Sequence, residues 1–165
     1  MANTLSVSGN TRLAWTLSES QSIGSVSRSV EQRSSRSIAN GTGPSQANVA
    51  ITDTVSVTGT STTNIDLAEY RDTSFGYDGF ISFTAVKEVL VNVATGPTGG
   101  NLTVGIPTGV TGVRMNVGSQ MHLADYTDGL AVGASFSGIT LKSNVTGTYS
   151  VGVTVIGIGS YGNIY

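Results

Sequence analysis

The chemistry open to the chain is limited first by its histidine and cysteine content. The sequence has one histidine, His122, and no cysteine. Thiol nucleophiles are therefore absent, and zinc or copper sites built from imidazole and thiolate are nearly excluded. His122 lies between Met121 and Leu123 in a short alternating segment, which predicts that it points to the outer face of a strand. We assign it no catalytic or metal-ligating role.

Two groups of acidic residues have the side chains that a hard cation prefers: Asp66, Glu69, Asp72 and Asp78 in one, Asp125 and Asp128 in the other. The D-x-[DN]-x-[DN]-G spacing of a calcium loop is absent from both. Solvated loops near Arg71 account for the same residues, and no pair of them is specific enough to predict glycoside hydrolysis. The sequence therefore predicts no metal site and no cofactor.

The segment Gly157–Gly162 matches G-x-G-x-x-G and follows a predicted strand. In a dinucleotide site these glycines bring a helix N-terminus close to a pyrophosphate. Only three residues follow the segment here, which leaves no room for that helix. We interpret it as a flexible C-terminal tail and predict that the chain is not an enzyme.

Four aromatic residues, Tyr70, Phe75, Tyr77 and Phe80, lie in one predicted loop and at the strand entry that follows it. They could form a sugar-binding platform, or Phe75 and Phe80 could plug the end of a β-sandwich. Aromatic residues at strand entries are more often part of a core, so we favour the plug.

Charge and hydropathy exclude several classes of partner. Only 11% of the residues are charged and the formal net charge is −2, so no strong field favours nucleic acid or an anionic membrane. No apolar run approaches the roughly 20 residues of a membrane helix. The segment Met1–Trp15 lacks the charged start and apolar run of a signal peptide, so we expect no Sec export.

Residues 46–165 have the alternating pattern of an all-β body. The run Phe80–Ala94 is the longest apolar-rich stretch without glycine or proline, and its odd positions are nearly all apolar. Lys87 is the exception on that face, and we expect it to reach an acid such as Asp53 or to face a neighbouring subunit. The segment Thr148–Ile158 has a matching valine face and is the expected neighbour of this strand. About nine short strands with frequent turn signals predict an antiparallel β-sandwich, jelly-roll-like in type.

Residues 1–45 differ from the body in being rich in serine and poor in large apolar residues. Short alternating segments occur at Leu5–Val7 and Leu13–Leu17, and Arg28, Arg33 and Arg36 lie within nine residues of each other. We predict an extended N-terminal arm that leaves the body and is ordered by contact with another molecule. The alternative is a pair of edge strands on the body itself.

A series of short segments resembles a family of small structural proteins of tailed bacteriophages, several of which decorate the capsid. The resemblance covers roughly residues 38–157 and is distributed over many short matches. Its segments are Asn40–Val49, Asp53–Thr54, Ile65–Ala68, Phe75–Gly76, Ile81–Val91, Leu102–Gly105, Gly129–Val132 and Thr148–Gly157.

The resemblance implies a non-enzymatic capsid decoration, or cement, protein on the outer surface of the virion. Its partners would be the major capsid protein and the chain itself, as a homotrimer or homodimer, with no nucleic acid, membrane or cofactor. Trp15, Arg28, Arg33 and Arg36 are the expected contacts with the capsid or a sister subunit. The alternative is a fibre or tail-tip module that binds a host glycan and exposes Tyr70, Tyr77 or Tyr126 in one cluster.

Overall fold

The computed structural model describes residues 5, 7–21, 24–72, 79–106, 110–125, 127–134 and 136–163. These residues form strands and turns, and the predicted all-β class with antiparallel sheets is confirmed. Within the same ranges no helical segment has the length and hydropathy needed to cross a bilayer. The strands are β1 Val7–Gln21, β2 Gly24–Asn40, β3 Gln46–Ala47, β4 Val49–Thr58, β5 Thr62–Asp66, β6 Tyr70–Asp72, β7 Gly79–Thr95, β8 Leu102–Ile106, β9 Val110–Met115, β10 Gln120–Ala124, β11 Leu130–Ala131, β12 Gly138–Ser143 and β13 Thr148–Asn163.

The body consists of two antiparallel sheets. The first has the order β10-β7-β13-β4, with β6 and β11 also paired to β7, and the second has the order β5-β12-β8-β9. Buried side chains from both sheets form one hydrophobic cluster, which includes Val91 and Val153 from the first sheet and Val104 and Leu141 from the second. Because each sheet buries one face against that cluster, the arrangement is sandwich-like.

Strand β7 is the centre of the first sheet, as its long apolar run predicts. Its predicted neighbour is confirmed, because β13 pairs with it along its whole length. The opposite edge of β7 is shared by β6, β11 and β10 in turn. The predicted one-sided face of β13 is also confirmed: Tyr149, Val151, Val153 and Val155 are all buried.

Lys87 is a bulged residue of β7, and this explains its unexpected place in an apolar pattern. The ladder with β13 passes from Glu88 directly to Val86 and leaves Lys87 without a partner there. A bulge of this kind moves the strand's side chains by one position. Val86, an even-numbered residue, is consequently 1% exposed beside Lys87 at 2%.

The glycine-rich end of β13 belongs to the sheet, so the predicted flexible tail is wrong. The stretch from Gly157 to Asn163 pairs with β7 from Val86 back to Gly79. A Cβ atom at Gly157 would collide with the carbonyl oxygen of Ala85, and one at Gly159 would collide with that of Ser82. Glycine is therefore required where the bulged backbone of β7 approaches this strand.

The remaining strands form a third sheet, β1-β2-β3, at the N-terminal side of the body. The predicted short segments at its start are one continuous strand, since serine and threonine extend the alternation between Val7 and Gln21. The strands predicted in the body, about nine, are present, and β3 and β6 are two further short strands that the sequence did not predict. The jelly-roll topology and the arm remain predictions.

Candidate interaction surface

Strands β1 and β2 form a long two-stranded ribbon. They pair antiparallel over 15 consecutive register positions, from Val7 opposite Ile38 to Gln21 opposite Gly24, without a register shift. At about 3.3 Å per residue the ribbon is about 50 Å long. The ribbon is thus nearly as long as β7, the 17-residue central strand of the body.

The register divides the ribbon residues between two unlike faces, because residues directly opposite each other share a face and alternate along the strand. We call the first the apolar face; it carries the large apolar residues Leu13, Trp15, Leu17, Val26 and Val30. We call the second the serine face, on which Ser8 opposes Ser37 and Ser20 opposes Ser25. The pattern was not evident in the sequence, because it needs the pairing of two strands before it becomes visible.

The predicted contact residues are separated by this register. Trp15 opposes Val30 and Arg28 opposes Leu17, so these two predicted residues share the apolar face near its middle. Arg36 is on the same face, opposite Gly9 and close to the base. Their side chains, like that of Arg33, lie outside the part of the chain that the structure describes.

Arg33 lies on the serine face, directly opposite Arg12. Like charges in directly opposed positions destabilise a strand pair. The register thus places two positively charged residues in directly opposed positions. Sequence reasoning overlooked Arg12, since the arginine group was defined by spacing along the chain rather than by proximity across strands.

The base of the ribbon is attached to the body by a small apolar cluster. Ile38 is buried with Ala47 and with Ile156 of β13, and the half-buried Leu5 and Val7 pack against them. This cluster is separate from the main core. The apolar face of the ribbon therefore begins, at Val7 and Ile38, as a packed interface.

Hydrogen bonds to two asparagines hold the same junction. The Asn40 side chain accepts from the backbone N–H of Leu5 at 3.0 Å. Asn48 donates from Nδ2 to the carbonyl of Gly159 and accepts from the N–H of Gly159, both at 2.9 Å. The side-chain amide of Asn48 thus makes with Gly159 the two hydrogen bonds that a backbone peptide of a neighbouring strand would make. Neither asparagine was selected from the sequence, although both lie in the turn-rich segment before β4.

Lys87 links the core to this junction. Its Nζ donates to the backbone carbonyl of Thr127 at 2.7 Å, and the N–H of Ser45 donates to the same oxygen at 3.4 Å. The predicted partner Asp53 is wrong, because Asp53 is exposed on the edge strand β4, where its carboxylate accepts from the Tyr70 hydroxyl at 2.6 Å. A charged side chain on an edge strand hinders pairing with a further strand.

The histidine and the acidic residues that were considered for catalysis or metal binding lie at the surface. His122 is exposed, as predicted, and its Nε2 lies 2.7 Å from Oε1 of Glu88. Asp66 accepts from the backbone N–H groups of Ala68 and Glu69, in the manner of a turn. In the described residues no group of three or more acidic or histidine side chains is placed to bind a metal ion. Asp78 and the side chain of Asp72 lie outside those residues.

The aromatic candidates are only partly described. Tyr70 is half-buried and packs against the main core, while Phe75, Tyr77 and Tyr126 lie outside the described residues.

An open cleft of about 560 Å³ lies between the turns Gly96–Gly100 and Asn116–Val117. Next to it, Tyr149 is buried against Gly96 and Gly100. Its hydroxyl has no hydrogen-bond partner among the described residues, and burial raises its pKa.

Comparison of the chain with protein-family models and with curated proteins finds no match.

Proposed function

We propose that the chain is a non-enzymatic decoration protein of a tailed-phage capsid, bound to the outer surface of the shell. The proposal is supported by one observation above the others: a compact β body carries a ribbon about 50 Å long that is attached through a small cluster at its base. An isolated hairpin of two strands is marginally stable in water. Such a ribbon suits a protein that completes its structure on a partner.

The distribution of charge supports the same proposal. Four arginines and two glutamates give residues 1–45 a formal charge of +2, whereas four cations and eight acids give residues 46–165 a charge of −4. A basic ribbon on an acidic body orients the molecule toward an acidic surface, with the ribbon in contact and the body outward. The Arg12 and Arg33 pair on the serine face is the natural contact with the shell, and the major capsid protein is the proposed partner.

A shortened ribbon tests the proposal. Residues 10–35 are replaced by Asn-Gly, which joins Gly9 to Arg36 through a two-residue turn. Gly9 and Arg36 lie directly opposite each other, as do Gln21 and Gly24 on either side of the original two-residue connection, so the new turn joins residues in the same register. The base cluster around Ile38 is retained. We expect the free energy of unfolding of the body to stay within about 0.5 kcal/mol of its value in the full-length chain, because none of the main core is removed.

We expect the shortened chain to fail to cosediment with shells of the virion that lack the protein, whereas the full-length chain binds them. Deletion of residues 1–39 should have the same effect on binding, although it also uncovers Ile156. Asn64→Ala, an exposed change on strand β5 of the body, is the control and should bind normally. Normal decoration by the shortened chain would refute a role for the ribbon in binding.

A further inference from the structure

The described side chains on the two faces of the ribbon differ in how far they are covered. The described side chains between Ser8 and Ser37 are Ser8, Ala14, Ser29, Glu31 and Ser37. All five are on the serine face, and all are exposed. The two described residues on the apolar face, Val7 and Ile38, are covered by the body.

The apolar face thus continues from an existing packed interface. Within the described ranges, β1 pairs only with β2, and β2 pairs only with β1 and the two residues of β3. Beyond the base, five large apolar residues on one face have no body strand paired alongside them. A two-stranded sheet with one apolar face is stabilised when a second layer covers that face.

We infer that the apolar face packs against the same face of the ribbon in a second copy of this chain. Beyond the base, the part of each face that overlaps its partner is 9–21 with 24–36, about 43 Å long and about 10 Å wide, or about 430 Å². Two such faces bury about 860 Å² in total, which is close to the roughly 1,000 Å² of the smallest specific interfaces. The result is a four-stranded, two-layer sandwich with the serine faces outward. The inference does not require the capsid role, because it concerns the chain alone.

The two arginines on the apolar face favour an antiparallel arrangement. If the two ribbons ran parallel and in register, Arg28 and Arg36 would each lie level with the partner's own Arg28 and Arg36. An antiparallel arrangement centred on the Trp15 and Val30 pair avoids both repulsions, because Arg28 lies level with the partner's Leu13 and Gln32. Leu13 and Leu17 lie two residues before and after Trp15, so in this arrangement Leu13 of one ribbon lies level with Leu17 of the other.

Light scattering coupled to size-exclusion chromatography tests the interface with the full-length chain. We expect a dimer, or a larger assembly made from dimers, at micromolar concentration. Leu13→Ser combined with Leu17→Ser should raise the dissociation constant about 100-fold or more, since both residues lie at the centre of the interface. The matched control is Ala14→Ser combined with Thr16→Ser, which makes the neighbouring changes on the serine face and should leave association unchanged.

Chemical cross-linking tests the arrangement. The chain has no cysteine of its own, so each introduced cysteine reports one position. With a bis-maleimide of about 10 Å, the spacing of packed sheets, Val30→Cys should cross-link to the partner. Ser29→Cys, one residue away on the serine face, should not. Val26→Cys shares the apolar face but lies about 26 Å from its counterpart in the antiparallel arrangement, so it should also fail.

Several results would overturn the inference. A wild-type chain that stays monomeric at all accessible concentrations would do so, and if it bound shells through the apolar face, that face would belong to the shell protein. Equal cross-linking from Ser29→Cys and Val30→Cys would show that the apolar face is not the interface. Efficient cross-linking from both Val26→Cys and Val30→Cys would refute the antiparallel packing.

Discussion

Two long antiparallel strand pairs in this chain have nearly the same extent and opposite surroundings. Strands β7 and β13 share 14 register pairs, and β1 and β2 share 15. The first pair has further strands on both outer edges and a second sheet beneath it, and its valines are fully buried. Among the described residues, the second pair has only β3 paired beside its base, and its described side chains beyond the base are exposed. Pairing by itself therefore does not bury side chains; a covering layer does.

The same comparison explains where the irregularities are found. The β7–β13 ladder contains three register shifts, whereas the ribbon ladder has none. Bulges re-aim side chains and increase the local twist. A strand that packs on a core uses them to keep apolar residues facing inward, as Val86 does beside Lys87. The ribbon, whose described side chains beyond the base are exposed, keeps its plain alternation.

The two regions can be followed separately in solution. Trp15 is the single tryptophan and lies in the ribbon, while all six tyrosines lie in residues 46–165. Tryptophan fluorescence therefore reports the ribbon, and near-ultraviolet tyrosine circular dichroism reports the body.

The largest expected effect comes from a cavity in the body core. Leu141 on β12 is fully buried between the sheets. We expect Leu141→Ala to lower the free energy of unfolding by about 2–5 kcal/mol. Ala14→Ser in the ribbon should change it by less than about 0.5 kcal/mol, because Ala14 is exposed. Urea unfolding followed by tyrosine circular dichroism measures both, and equal losses would contradict the contrast between body and ribbon.

An intermediate effect is expected at the junction. Asn48→Ala leaves the N–H and the carbonyl of Gly159 without the side-chain partner they have now. We expect a loss of about 1–3 kcal/mol in unfolding free energy. Asn64→Ala on β5, an exposed asparagine, should be close to neutral. If the two variants were equally stable in the same urea titration, Asn48 would have no structural part in joining the ribbon to the sheet.

The smallest effect depends on pH and concerns Tyr149. Because burial raises the pKa of this hydroxyl in the folded chain, the folded state holds its proton to higher pH than the unfolded state. The stability contribution is complete below the unfolded pKa of about 10 and is lost as the pH rises through the folded pKa. Tyr149→Phe removes this loss and also removes a buried hydroxyl that lacks a described partner.

We therefore expect Tyr149→Phe to be neutral or stabilising by about 1 kcal/mol at pH 7 and to gain further on wild type above pH 10. Urea titrations at pH 7, 10 and 11 measure the difference. Tyr161→Phe, at an exposed position, should follow wild type at every pH. If the Tyr149→Phe variant and wild type lost the same free energy of unfolding between pH 7 and pH 11, the raised pKa of Tyr149 would be contradicted.

Much of the body could be predicted from its residues. Alternating segments such as Val49–Thr58 and Leu102–Ile106 form strands at the predicted bounds. The exposed position of His122 also followed from its neighbours on a short strand. These predictions succeeded because a strand that buries one face has an apolar residue at every second position, and this alternation is visible within a single segment of the sequence.

The candidate surface could be predicted only in part. The sequence drew attention to Trp15 and the arginines, but grouped Arg28, Arg33 and Arg36 as one patch. Register placed Arg33 on a different face from the other two and opposite Arg12. Such a division cannot be read from spacing along one strand, because a face of a ribbon consists of residues from both.

By itself the sequence determined the strand content, the long central strand and the contrast between a serine-rich N-terminal region and the body, since composition and period-two alternation are local properties. Only the tertiary structure decided that Lys87 leaves the ladder and reaches Thr127, and that the glycines after Ile156 continue a strand. It also decided that the ribbon has an apolar face. Each of these depends on which backbone lies alongside, and that neighbour is remote in sequence.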